Sequence, residues 1–216
     1  MPKRALIEHR PWIVASLFAA LAYYYLRDTQ LAEMQLMGVK AAGVGLLAIY
    51  AWRRTQGLDG LLLVLMLALC ASADAALILD MTTGGAIFAA AHAVGVVLFL
   101  RNRRQQTTGS QIMLGVALLI GAPLISYLLS QDVWVGVYAI TLGAMAASAW
   151  TSGFPRYRVG IGAVLFVVSD WLIFSDMGPY DLGTIPHWLI WPLYYVGMLM
   201  IATGVVQTLR GETPAR

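Results

Sequence analysis

Charge is what this 216-residue chain has least of. Asp, Glu, Lys and Arg make up 12% of it, about half the ~25% usual for soluble domains. A chain so poor in charge cannot cover the water-facing surface of its own fold, which excludes a soluble enzyme and a nucleic-acid binder. Cysteine is nearly absent. Cys70 stands alone, which excludes an internal disulfide and a secreted disulfide scaffold, and with three His it leaves little for a structural zinc site. Phosphate-binding, dinucleotide-binding, zinc-protease and nucleophile-elbow motifs are missing too, and neither a cofactor nor a metal is expected. Strand-length alternation of polar and apolar residues is also lacking, which argues against a β-barrel.

What the chain has in abundance is apolar surface. Hydrophobic residues make up 60%, and the share rises further when Gly is counted and Tyr is not, against roughly 45–50% in soluble domains. The mean hydropathy is +0.74, so lipid is the expected solvent for most of the length. Apolar runs of spanning length fall near 11–26, 36–52, 60–79, 84–100, 109–129, 133–150, 159–174 and 186–209, and stretches such as 61–69 are apolar on every face. The expectation is an all-α membrane protein: one polytopic domain over 1–216 with eight transmembrane helices. An alternative reading of the start as a signal peptide cleaved near Ala20-Leu21-Ala22 is disfavoured, because the apolar run continues through Leu26.

The basic residues set the orientation. Lys3, Arg4, Arg10, Arg53, Arg54, Arg101, Arg103, Arg104, Arg156, Arg158, Arg210 and Arg216 all fall on the side of the N-terminus, leaving Arg27 in an opposite-side loop and Lys40 inside a span. By the positive-inside rule both termini are cytoplasmic. The pI near 9.1 therefore reports topology and contact with anionic lipid, not a nucleic-acid partner. Trp12, Trp52 and Trp150 fall at inner ends, and Trp134, Trp171, Trp188 and Trp191 toward outer ends, as an interfacial belt requires. The two four-span halves carry Ala73-Asp74-Ala75 and Ser169-Asp170-Trp171 in their third spans, compatible with a 4+4 parallel repeat.

Ionisable groups in lipid cost about 2.5–3.5 kcal/mol each on insertion scales, so each calls for a reason. The candidates are Lys40, Asp74, His92 and Asp170, with Tyr138, Tyr194 and Tyr195 beside them. At 1.5 Å per residue, Asp74, Asp170, Lys40 and Tyr138 all fall within roughly 6–9 Å of the outer boundary, with Tyr194 and Tyr195 a little deeper and His92 near mid-membrane. Four groups from four helices at one depth are what a pocket requires. Two carboxyls in one low-dielectric pocket are not both ionised at neutral pH, so the pair offers a proton donor beside a carboxylate. Such a pair handles reactions through an oxocarbenium-like state. Bland readings compete: Lys40 is near enough to the surface to snorkel, His92 fits a hydrogen-bonded core position, and adjacent Tyr194 and Tyr195 cannot both face one pocket. Asp80, Asp132, Asp176 and Asp181 read as solvated loop-edge groups.

At these residues the sequence resembles the lysoplasmalogenase (YhhN-like) family of membrane proteins from about Lys40 to Gly204. The resemblance rests on Lys40, Cys70–Asp74, Ala91-His92, Tyr138 with Met145-Ala146, GAVLFVVSD over 162–170, and Tyr194-Tyr195. It departs from the family pattern at Ala41, where a Pro is usual, and at Gly197, where a Gln is. The resemblance implies hydrolysis of the vinyl-ether bond of choline or ethanolamine lysoplasmalogens to a fatty aldehyde and a glycerophospho-base. Asp74 and Asp170 would be the catalytic pair, Lys40 would meet the lipid phosphate, and Tyr138, Tyr194, Tyr195 and His92 would line the substrate site. The expected partners are a lysophospholipid substrate and membrane lipid, in a bacterial inner or plasma membrane. A non-catalytic carrier or binder of amphiphiles or ions, using the same carboxyls, is the alternative.

Overall fold

The computed structural model describes residues 10–211; Lys3, Arg4 and Arg216, used above for orientation, lie outside them. The described chain is all helix: α1 (Arg10–Leu26), α2 (Glu33–Arg54), α3 (Gly57–Leu79), α4 (Met81–Arg101), α5 (Gly109–Ser130), α6 (Val133–Thr151), α7 (Ile161–Met177) and α8 (Ile185–Leu209). A π turn over Arg156–Gly160 leads into α7. Seven segments are long and apolar enough to cross a membrane, α7 with its π turn among them, and α1 is a shorter apolar helix. The protein is thus a multi-pass membrane protein. Most helices run past the apolar runs, because a helix continues into the head-group region where polar residues are welcome. α2 begins at Glu33 and α7 ends at Met177, which sets Asp170 about one turn deeper than the apolar run implies.

Helices reverse direction through short, capped corners. Asp80 closes α3 and opens α4, its carboxylate accepting from the Thr83 backbone N–H at 2.6 Å. Thr108 and Gln111 form a capping box at the start of α5, and Asp132 accepts from the Trp134 N–H at the start of α6. Each satisfies donors that a helix start leaves bare.

The layout is inside-out relative to a soluble bundle only in its solvent. Leu61, Met113, Ile140 and Phe18 face outward, where acyl chains replace water. Burial of apolar area cannot drive helices together in lipid, so close packing at small residues must. A Cβ at Gly162 would lie 2.6 Å from the Gly197 carbonyl, and one at Gly197 the same distance from the Gly162 carbonyl. α7 and α8 therefore cross backbone to backbone. Gly143 brings α6 nearly as close to α5, where a Cβ would lie 2.8 Å from the Leu118 carbonyl. Gly197, a departure from the family pattern, is thus required by the packing here.

α1 to α4 pack in sequence order, α5 pairs with α6 and α7 with α8, and α8 also packs against α2 and α3. α3, α4, α6, α7 and α8 enclose the polar groups. At the basic end the loops are knitted together. Arg101 pairs with Asp59 at 2.9 Å, Arg103 and Ser152 form an isolated antiparallel bridge, the Gly153 N–H donates to the Asn102 carbonyl at 2.7 Å, and Phe154 is buried against Phe99. At the opposite end, the His187–Asp28 pair at 3.2 Å joins two exposed groups.

One tryptophan leaves the expected belt. Trp191 is buried, its indole N–H donating to the Ala20 carbonyl at 2.9 Å. It serves the α1–α8 contact, since its single polar atom finds an acceptor inside.

Candidate functional site

Each intramembrane carboxyl is held by one tyrosine. Tyr194 on α8 donates its hydroxyl to Asp74 Oδ2 on α3 at 2.8 Å, and Tyr138 on α6 donates to Asp170 Oδ2 on α7 at 2.7 Å. Both carboxyls are buried, and Asp170 is within Coulombic reach of Asp74. A buried carboxyl in lipid needs such a donor, because an unsatisfied polar group there costs several kcal/mol.

Aromatic rings pack around the pair. Phe166, one turn before Asp170, packs edge-on to Tyr194 at 5.0 Å and to His92 at 5.1 Å. Phe88, one turn before His92, meets Phe166 and Tyr194, each at 5.7 Å. Cys70, one turn before Asp74, lies beside Tyr194 and is fully buried. These three residues were not among the candidates, although i, i−4 spacing from the candidates puts them on the same helix faces.

His92 belongs to the wall. Its Nδ1 lies 3.3 Å from the Thr141 hydroxyl, and that hydroxyl donates to the Tyr138 carbonyl at 2.8 Å. With its one proton spent there, Thr141 accepts, so His92 carries its proton on Nδ1. Its buried Nε2 has no hydrogen-bond partner.

Lys40 and Tyr195 stand on another side. Lys40 is within Coulombic reach of Asp74, and its ammonium lies over the rings of Tyr23 at 5.5 Å and Trp191 at 6.0 Å. Tyr195 shares a hydrogen bond with Ser16 of α1 at 2.8 Å, and Ser16 also donates to the Gly43 carbonyl of α2. Successive residues on a helix point about 100° apart, so Tyr194 takes the carboxyl and Tyr195 does not join the site. The structure thus brings together Asp74, Asp170, Tyr138, Tyr194 and His92, sets Lys40 behind Asp74, and gives Tyr195 to the α1 contact.

A cavity of about 430 Å³ opens between α4, α6 and α7, within the ~300–1,000 Å³ range of small-molecule sites. Its inner wall includes Asp170, Tyr138, Phe88 and Phe174, and its mouth carries Thr82, Asp132 and Trp134. Asp74, Tyr194, His92 and Lys40 do not line it. Tyr138 lies six residues beyond Asp132, about 9 Å along the helix, so the hydroxyl–carboxyl pair sits well below the mouth. No group of three or more metal-ligating side chains occurs among the described residues.

The arrangement is that of a multi-pass helical membrane protein with an apolar cleft that reaches a buried carboxyl, Asp170, and with a second buried carboxyl, Asp74, within Coulombic reach of it. The chain belongs to the YhhN family: the family model matches residues 34–205, everything from α2 to near the end of α8, and the family is associated with hydrolase activity. No curated protein and no solved structure matches the chain.

Proposed function

We propose that this protein is a membrane hydrolase that cleaves the vinyl-ether bond of lysoplasmalogens, crossing a bacterial inner or plasma membrane eight times with its basic end in the cytoplasm. The observation that supports it most is the pairing of Asp74 and Asp170. They come from distant parts of the chain, are each oriented by a tyrosine hydroxyl, and one of them lines the apolar cavity between α4, α6 and α7.

The chemistry follows from a carboxyl pair of this kind. One carboxyl protonates the vinyl carbon distal to oxygen, leaving an oxocarbenium ion. The other carries negative charge that stabilises it, water adds to the cationic carbon, and the hemiacetal collapses to aldehyde and alcohol. The apolar cavity takes the single alkenyl chain, and the glycerophospho-base projects past Asp132 and Trp134. Lys40 does not line this cavity, so the phosphate contact expected from the sequence has no part in the proposal. Phe88, Phe166 and Phe174 keep the site dry, which strengthens every charge interaction inside it.

The test is direct. Purified protein in detergent, given a lysoplasmalogen, releases fatty aldehyde. Binding without turnover would identify the non-catalytic carrier instead, and turnover of a different lysolipid would place the same chemistry on another bond.

A further inference from the structure

The two carboxyls have different neighbours, and the difference assigns their roles. Asp74 has a cation in reach, Lys40 on α2. It is 1% exposed and off the cavity wall. Asp170 is 5% exposed and lines the cavity. The groups around it are the Tyr138 hydroxyl from α6, the Asp74 carboxyl from α3, and the side chains of His92, Cys70 and Tyr194 from α4, α3 and α8. No ion pair within 4 Å of either carboxyl occurs among the described residues, so Lys40 acts on Asp74 across a longer gap, and Asp170 has no cation among the groups around it. Burying a carboxylate with no cation in reach is costlier than burying one with an ammonium nearby.

We infer that the pair shares one proton and that it sits on Asp170, while Asp74 is the anion, held so by Lys40. This deepens the hydrolase reading and rests on it for the catalytic step alone. Tyr138 occupies Asp170 Oδ2, so the proton rides on the other oxygen, Oδ1. In the reaction Asp170 gives that proton to the vinyl carbon, and the C=C electron pair forms the new C–H bond. The oxocarbenium charge is balanced by both carboxylates. Water attacks the cationic carbon, and its departing proton returns to Asp170. Asp170 then protonates the ether oxygen as the hemiacetal C–O bond breaks, the hemiacetal hydroxyl forms the C=O bond and gives its proton back to the Asp170 carboxylate, and one aldehyde and one alcohol leave with Asp170 protonated as at the start. Lys40 touches no reacting atom and is a positioning residue for the Asp74 charge.

Infrared spectra of the full-length protein in detergent carry the decisive signal, the C=O stretch of a protonated carboxyl buried from exchange. The band is expected in the wild type and in Asp74→Asn, and absent in Asp170→Asn. On activity, Asp170→Asn loses about 10²–10⁴-fold, the range of a positioned general acid. Lys40→Met is expected to match Asp74→Asn in kcat, to leave KM within about twofold, and to shift the pH profile. Lys40→Arg restores the wild-type profile, and Lys40→Met combined with Asp74→Asn is no worse than either alone. A band lost in Asp74→Asn and kept in Asp170→Asn reverses the assignment and overturns the inference, as does a band that survives both. The expected band pattern in a protein that releases no aldehyde upholds the proton's placement and sinks the hydrolase reading instead.

Discussion

The two ends of the bundle are built on opposite plans. At the basic end, backbone and side-chain bonds tie the α4–α5 and α6–α7 loops together, through Gly153 to Asn102, Arg104 to Thr151 and Arg103 to Ser152, with Phe154 packed beneath them. At the other end α4, α6 and α7 part around the cavity, and the corners are closed by single caps such as Asp80 and Asp132. Under the proposed function, a bundle held at one end and spread at the other would admit an aliphatic chain without loosening as a whole. Opening there is inexpensive, because the separated surfaces meet lipid, which is as apolar as the surfaces themselves.

That contrast can be broken at either end, and the largest effect is expected where the helices part. Tyr138→Phe removes the hydroxyl that orients Asp170 and should lower aldehyde release by about 10–100-fold, toward the lower range of acid–base contributions, in a protein that still folds but with a lowered thermal midpoint in detergent, because the carboxyl loses its donor. Loss of folding instead would make the hydroxyl structural. Next comes Ala89→Phe, which fills the cavity from α4. KM for a lysoplasmalogen should rise at least severalfold while the fold survives, and an unchanged KM would show that the chain binds elsewhere. Gly197→Leu strikes the crossing of α7 and α8. Overpacking of this kind costs about 1–3 kcal/mol, read as a lowered thermal midpoint. At the knitted end, Arg101→Ala removes a half-exposed ion pair with Asp59 and should cost no more than about 0.2–1 kcal/mol, with activity intact; a loss of activity would mean that the two ends are not independent. The smallest effect concerns Asp80. The hydroxyl and backbone N–H of Thr83 hold its carboxyl below the usual range. Its cap is therefore fully present above the ordinary carboxylate range and is lost as pH falls through its own lowered value. Protection of the α3–α4 corner amides, taken relative to their intrinsic exchange rates at each pH, should fall on acidification in the wild type and not in Asp80→Asn.

Helices and depth were legible in the sequence because both follow from one-dimensional quantities, apolar run length and residue rise. Asp74, Asp170 and Tyr138 could be placed at a common level on that basis alone. Rotation was not legible. Helices this uniformly apolar give no polar stripe to show which face turns inward, so nothing in Tyr194-Tyr195 says which tyrosine meets the carboxyl. That choice is made by the Gly162–Gly197 crossing and by Trp191, which fix α8 against α7 and α1. Lys40 was open for the same reason, since snorkelling and pairing differ only by which way α2 is turned. The neighbours Cys70, Phe88 and Phe166 were readable from spacing once the central residues were chosen.

α1 lies before the residues that the family model matches, yet Ser16 clasps Tyr195 and the Ala20 carbonyl receives Trp191. Both grips fall on α8 within one turn of Tyr194. The first helix therefore works as a torsional stop: it sets the angle at which α8 offers its hydroxyl to Asp74, and trimming the chain to its family-matched portion would leave every site residue present and that angle unguarded.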